Sequence, residues 1–302
     1  MDQYDGILAV NKPAGWTSHD VVAKLRSMLR MKRIGHAGTL DPDVTGVLPV
    51  ALGRSTRFIE YMQEMPKEYI AEMKIGFATD TEDMSGEIIA RAEQVKIDPD
   101  RLQEVISQFI GEIEQVPPMY SAVKVDGRRL YELAREGRVV ERKARIVTIH
   151  ELQLEATQLE QEYPMLRFRV RCSKGTYVRT LCKDIGEALG YPAVMSSLVR
   201  TMSCGVPISQ AADLSTIAAW HEEDALLEHI LSADEVLTHI PARYVERTIA
   251  QRLLHGQRVR LSDIHDQAAY HGLIRLYDDD RQFVGICKID EGRIIPQKMF
   301  HI

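Results

Sequence analysis

The sequence predicts an α+β fold followed by a small β-barrel-like module. Short strand-length apolar runs and amphipathic helical stretches follow one another without a regular strand–helix–strand rhythm. Strand-like runs dominate the first half of the chain. The final segment, 241–302, divides into several short strand-like runs around glycine-centred turns. The expected division is a catalytic-sized domain over 1–240 and a small domain over 241–302.

Gly6–Val10 reads as the first strand. After the turn NKPAGWTS, a helix is expected over Ser18–Met31, with Val21, Val22, Leu25, Met28 and Leu29 at helical spacing and Ser18 as N-cap. Val47–Leu52, Tyr69–Ile75 and Gly86–Arg91 read as strands. Asp98 followed by Pro99 marks a helix start, and the helix runs to Phe109. Arg145–Ala156 and Leu166–Cys172 alternate as half-buried strands do. Thr180–Leu189 reads as a helix that Gly190 stops. From Leu214 to Leu237 the chain reads as helical and acidic, and Pro241 breaks it. A short helix, Thr248–Leu254, ends at Gly256. Strands are then expected at Gln257–Leu261, Gly272–Tyr277, Phe283–Ile289 and Ile294–Met299.

With 302 residues, 45% hydrophobic and 27% charged, the composition is that of a globular protein. No apolar run reaches the length of a membrane helix, and the acidic N-terminus has no signal core, so a cytoplasmic address is expected. Cys172, Cys182, Cys204 and Cys287 are scattered, which suits free thiols. The ten histidines show no metal-binding spacing, so no metal is expected. Neither GxGxxG nor GxxxxGK[ST] occurs, in keeping with no cofactor. The net charge of −6 weighs against a nucleic-acid partner, yet residues 121–145 hold 8 basic and 4 acidic side chains. A local basic footprint is what an RNA binder needs, although a solvated helix face accounts for such a run as well.

The most informative stretch is Gly35–Val50, GHAGTLDPDVTGVLPV. Pro42 pushes Asp41 toward extended geometry, and Gly35, Gly38 and Gly46 permit tight turns and close approach of a ligand. An Asp-capped turn would explain the local composition equally well. The whole string, however, resembles the motif II signature of the TruB-type pseudouridine synthases. Other motifs follow the same family: Asn11–Gly15 with Thr17 and Ser18, Lys67-Glu68-Tyr69, Cys172–Thr180, and Leu198-Val199-Arg200. Pro117–Lys124, Asp126–Arg129 and Tyr131–Arg135 resemble its RNA-gripping insertion, placed at about 117–145, and 241–302 resembles an RNA-binding PUA module.

The resemblance implies a pseudouridine synthase fold, with a central mixed, mainly antiparallel sheet flanked by helices. It implies conversion of uridine 55 in the tRNA T arm to pseudouridine, with Asp41 as nucleophile and the base flipped out. Tyr69 would lie against that base and Arg179 would pair with Asp41. Lys12 would brace the catalytic loop, His36 would hold the extruded nucleotide, and Leu198 would supply an apolar contact. Tyr177 lies in the same segment as Arg179 and is expected at the substrate, while Lys124, Arg128 and Arg129 would meet phosphates. Attack at C1′, attack at C6 and a glycal route all remain open. The expected partner is the tRNA T stem-loop, bound by a monomer with no obligate protein partner. Three other readings compete with this one. A guide-RNA-dependent synthase is expected to have protein partners and long basic tails. A non-catalytic RNA binder would lack Asp41, Tyr69 or Arg179. A hydrolase using Asp41 as a base would need a second carboxylate or metal ligands nearby.

Overall fold

Strand Thr45–Leu52 organises the N-terminal part of the chain. From Gly46 onward every residue in it is buried, which suits a run of apolar side chains covered on both faces. The computed structural model describes residues 3–263 and 271–300. Its contacts divide the chain into two compact units. The first comprises Met1–Asp43, Val47–Met65 and Cys204–Ile302, and the second Val44–Gly46 and Pro66–Ser203.

In the first unit, Gly6–Lys12 lies beside Thr45–Leu52, whose other neighbour there, Ile34–His36, is antiparallel with Ile34 opposite Leu52 and His36 opposite Val50. Helix Ser18–Leu29 buries Val21, Val22, Leu25 and Leu29 in a core with Leu8, Val10, Leu48, Val50 and Leu52. Its N-cap is Thr17, which exchanges bonds with Asp20 in a capping box. The expected cap, Ser18, is instead buried and used elsewhere. Arg30, in the left-handed region, closes the helix before Met31. The long helix expected from Leu214 is also shorter. It ends at Glu222, and Asp224 turns left-handed (φ 56°), a conformation aspartate tolerates. A 3₁₀ turn, Leu226–His229, then buries Leu226.

The C-terminal segment forms a five-stranded sheet, ordered Ala242–Tyr244, Gly272–Tyr277, Phe283–Asp290, Arg293–Met299, Val259–Arg260. It has its own core, with Ile249 and Leu253 of helix Arg247–Leu254 packed on Ile274, Cys287 and Ile294. The compact units are nevertheless drawn differently from 1–240 and 241–302. Ile286 shares a core with Ile7, Val47, Phe58 and Met62. Phe58 packs on Phe283 and Phe300, and Arg57 donates to the Met299 carbonyl at 2.9 Å.

In the second unit a mainly antiparallel sheet runs Ala193–Ser203, Lys67–Ile75, Met165–Cys172, Arg145–Gln158, Gly111–Gln115. Thr45 and Gly46 pair with Val199 and Arg200 in parallel, which makes the sheet mixed as expected. Helix Pro99–Gln108 starts at Asp98 as read from the sequence, with Asp98 accepting from the Arg101 amide at 2.9 Å. Helix Val178–Leu189 ends at left-handed Gly190 (φ 87°). The strand expected from Gly86 begins at Ile88, because residues 80–87 are drawn into a loop by their own side chains: Asp83 Oδ1 accepts from Thr81 Oγ1 at 2.7 Å and from the Ser85 amide at 3.0 Å. Among the described residues, no helix is long and apolar enough to cross a membrane.

Gly46 has φ 106°, and a Cβ there would fall against the Arg200 backbone oxygen and 2.7 Å from its nitrogen. Gly46→Ala should therefore destabilise the protein by about 1–3 kcal/mol, from backbone strain and loss of this close pairing. Equilibrium urea unfolding, compared with wild type, measures the loss.

Candidate active site

Asp41 is half-buried on the loop that links strand Ile34–His36 to strand Thr45–Leu52. Two side chains pin that loop by its backbone. Lys12, the last residue of strand Gly6–Lys12, is 0% exposed. An ammonium has three protons to place, and burial away from water makes each unmet donor costly. Lys12 Nζ donates to the carbonyls of Pro13 (2.9 Å), Trp16 (2.5 Å) and Pro42 (2.8 Å). The Pro42 carbonyl also accepts from the Gly15 amide at 3.0 Å. Ser18, 2% exposed, holds the other flank: its Oγ accepts from the Leu40 amide at 2.9 Å and donates to the Leu40 carbonyl at 3.3 Å. The residues on either side of Asp41 are thus both tied to the NKPAGWTS turn. Sequence reading singled out Lys12, but it took Ser18 for a helix cap. His36, half-buried, ends the strand leading into the same loop.

Tyr69, Leu198, Tyr177 and Arg179 belong to the second unit. Tyr69 stands opposite Arg200 on one neighbouring strand and opposite Val170 on the other. Leu198 is opposite Ala71, so register puts Tyr69 and Leu198 on one face of the sheet. Arg200 is 1% exposed.

Arg179 sits in the first turn of helix Val178–Leu189 and is 5% exposed. A buried guanidinium must distribute its five protons among acceptors. Its Nη1 donates to the Thr81 carbonyl at 3.0 Å and reaches Asp83 Oδ2 at 3.3 Å, and its Nη2 donates to the Tyr120 carbonyl at 2.9 Å. One cation thereby fastens both the 80–87 loop and the start of the basic insertion. Asp83 was missed from sequence, although the run Thr79-Asp80-Thr81-Glu82-Asp83 carries the side chains that make local turns. Gln115, also missed, is 2% exposed and sets the helix entry. Its amide accepts from the Tyr177 N–H at 2.7 Å and donates to the Tyr177 carbonyl at 3.1 Å.

The basic insertion contains a two-residue hairpin, Lys124–Val125 with Arg128–Arg129, closed by Asp126 (φ 51°) and Gly127 (φ 82°). Both turn residues have the positive φ that a type I′ hairpin requires. Lys124, Arg128 and Arg129 are all exposed. Arg129 donates to the Tyr131 hydroxyl at 3.0 Å. Arg128 is engaged by Glu136 through two bonds, and that cation holds the Glu136 carboxyl below its ordinary range. Among the described residues one carboxylate group, Asp278, Asp279 and Asp280, lies within ion-sharing distance. Its members already serve the turn, as Asp278 Oδ1 accepts from the Gln282 amide and Asp280 pairs with Arg247.

This architecture is that of the pseudouridine synthases. A chain of a solved Cbf5-Nop10-Gar1 complex matches it with a TM-score of 0.76 and 27% identity, covering 98% of this chain and 85% of that one. The model for the N-terminal domain of TruB family pseudouridylate synthases matches residues 26–178. A tRNA pseudouridylate synthase B C-terminal domain matches 179–238, and a pseudouridine synthase II TruB C-terminal model matches 241–300. The chain belongs to the TruB family. A tRNA pseudouridine synthase B of Halalkalibacterium halodurans is 42% identical over 97% of both chains. Another, from Geobacillus thermodenitrificans, is 47% identical over 85% of this chain and 86% of its own.

Two outcomes test these contacts. Lys12→Met keeps the apolar stem but leaves buried carbonyls short of a donor, so it should cost about 1–3 kcal/mol and raise amide exchange at Gly15. Hydrogen exchange and chemical denaturation check it. Glu136→Gln should release Arg128 to a phosphate. An RNA stem-loop should then bind more tightly at low salt, and the slope of log affinity against log salt should steepen by about 0.7–0.9.

Proposed function

We infer that this protein isomerises uridine 55 in the T arm of tRNA to pseudouridine. The observation that carries the reading is family membership across nearly the whole chain, with the Gly35–Val50 stretch inside the matched N-terminal domain. The reaction breaks the N1–C1′ bond, turns the uracil and joins C5 to C1′. A proton leaves C5 and one is gained at N1. No electrons and no groups are exchanged with a second substrate, so residues of the chain suffice to supply the acid, base and nucleophile.

Asp41 is proposed as the nucleophile, since a carboxylate can form and release a covalent bond to carbon. Its loop is held by Lys12 and Ser18, which supports the role because a nucleophile gains from fixed placement. Arg179 supplies the cation that keeps the carboxylate ionised. Tyr69 stacks on the turned-out base and accepts a proton. His36 and Leu198 steady that nucleotide, with Tyr177 beside it. The C1′, C6 and glycal routes use the same residues. Flipping the uridine costs a few kcal/mol of stacking. Phosphate contacts by Lys124, Arg128 and Arg129 offset that cost. The C-terminal module, 241–302, adds RNA contact, and the protein works as a monomer without a protein partner or guide RNA.

The test is tritium release from C5-labelled uridine in tRNA by the purified chain with no other component added. Wild type should release one equivalent per modified site, and Asp41→Asn should release none above background. Equal release from both proteins removes Asp41 from the mechanism. Release that requires an added guide RNA removes the stand-alone reading.

A further inference from the structure

Ser121 belongs to the Pro117–Lys124 motif, yet the roles above leave its side chain unused. It is 6% exposed, and its Oγ is buried with no hydrogen-bond partner among the described residues. Most buried hydroxyls find a partner, and one that does not is destabilising. The Ser121 backbone has little freedom to relieve this. Its own carbonyl accepts from the Tyr131 amide at 3.1 Å, and the carbonyl before it, of Tyr120, accepts from Arg179 Nη2 at 2.9 Å. Val123 is held through its carbonyl by the Leu130 amide at 2.8 Å, and Pro117 through its carbonyl by Arg142 at 3.1 Å. Only rotation about the Cα–Cβ and C–O bonds is left to the hydroxyl.

Among the described residues two other serines share the orphaned hydroxyl, and they serve as a contrast. Ser55 lies within the 3₁₀ turn Gly53–Phe58, and Ser196 is the unpaired bulge residue between Met195 and Ser197 in strand Ala193–Ser203. Ser121 alone of the three lies at the root of the basic insertion, one residue from a carbonyl that the buried Arg179 holds. An unmet hydroxyl there, on a held backbone but able to rotate about its Cα–Cβ bond, is suited to a ligand that arrives with its own acceptor. We propose that Ser121 is a substrate-contacting residue whose hydroxyl donates to an acceptor oxygen of the bound RNA. The proposal rests on the reading of the chain as an RNA-modifying enzyme.

The roles separate because a hydroxyl paired only in the complex weakens the free protein and strengthens the bound one. The probe is a hairpin RNA with the tRNA T-arm sequence. Its binding is read by fluorescence anisotropy and its reaction by single-turnover tritium release. Ser121→Ala should unfold at or above the wild-type midpoint, while binding or single-turnover rate falls roughly tenfold, as loss of one hydrogen bond predicts. Ser55→Ala should match wild type in binding and rate. A fall in midpoint with Ser121→Ala would make the hydroxyl structural and overturn the proposal. So would binding and rate equal to wild type. If wild type binds the hairpin but releases no tritium from hairpin or tRNA, the enzymatic reading fails, and the binding comparison still decides the role of Ser121.

Discussion

A buried ammonium is the contact on which the Asp41 loop depends. Lys12 has lost all access to water, and it recovers hydrogen bonds from backbone carbonyls that include Pro42, next to Asp41. Burying a charge is unfavourable unless its donors are met, so the carbonyls must stay where they are for the lysine to stay buried. That makes the loop's position a condition of folding. Ser18 adds a second tie at Leu40, and the loop is bounded on both sides by strands that pair with each other. The backbone on both sides of Asp41 is thereby held, as the catalytic role proposed for it requires.

Arg179 follows the same principle in the second unit. Its guanidinium is buried, and its planar fork collects carbonyls from Thr81 and Tyr120 together with the Asp83 carboxylate. Lysine, with a single point charge, would not span such a set of acceptors. The helix that carries Arg179 is in turn positioned by Gln115, which meets the Tyr177 backbone with both ends of its amide. The insertion that bears Lys124, Arg128 and Arg129 is thus rooted on a residue proposed for catalysis. Its exposed charges remain partly occupied by their own neighbours, Glu136 and Tyr131.

Elements with strong local signals were legible in the sequence. Asp98-Pro99 opened a helix where expected, Gly190 closed one, and Gly272–Tyr277 was delimited to the residue. Misreadings arose where a side chain had two possible uses. Ser18 qualifies as a cap by type, but Thr17 has the Asp20 partner for a capping box, which frees Ser18 for Leu40. Leu214–Leu237 looked like a continuous helix until Asp224 took a left-handed turn that buried Leu226. The 1–240 boundary was set at Pro241, and a family model begins at the same point, whereas the compact units follow packing of Phe58 against Phe283 and Phe300.

Residue type and spacing alone carried the α+β class, most of the strands and helices, the family, and the side chains that are candidates for chemistry. These are properties of residue type and spacing, which a linear chain carries in full. Only the tertiary structure decided what holds those candidates. Asp83 and Gln115 were invisible as partners because they lie 96 and 62 residues from the groups they bind. The burial of Lys12 was equally unreadable, since a lysine is charged and ordinarily exposed. Long-range hydrogen bonds leave no periodic trace in the chain, because they depend on where folding brings the backbone carbonyls.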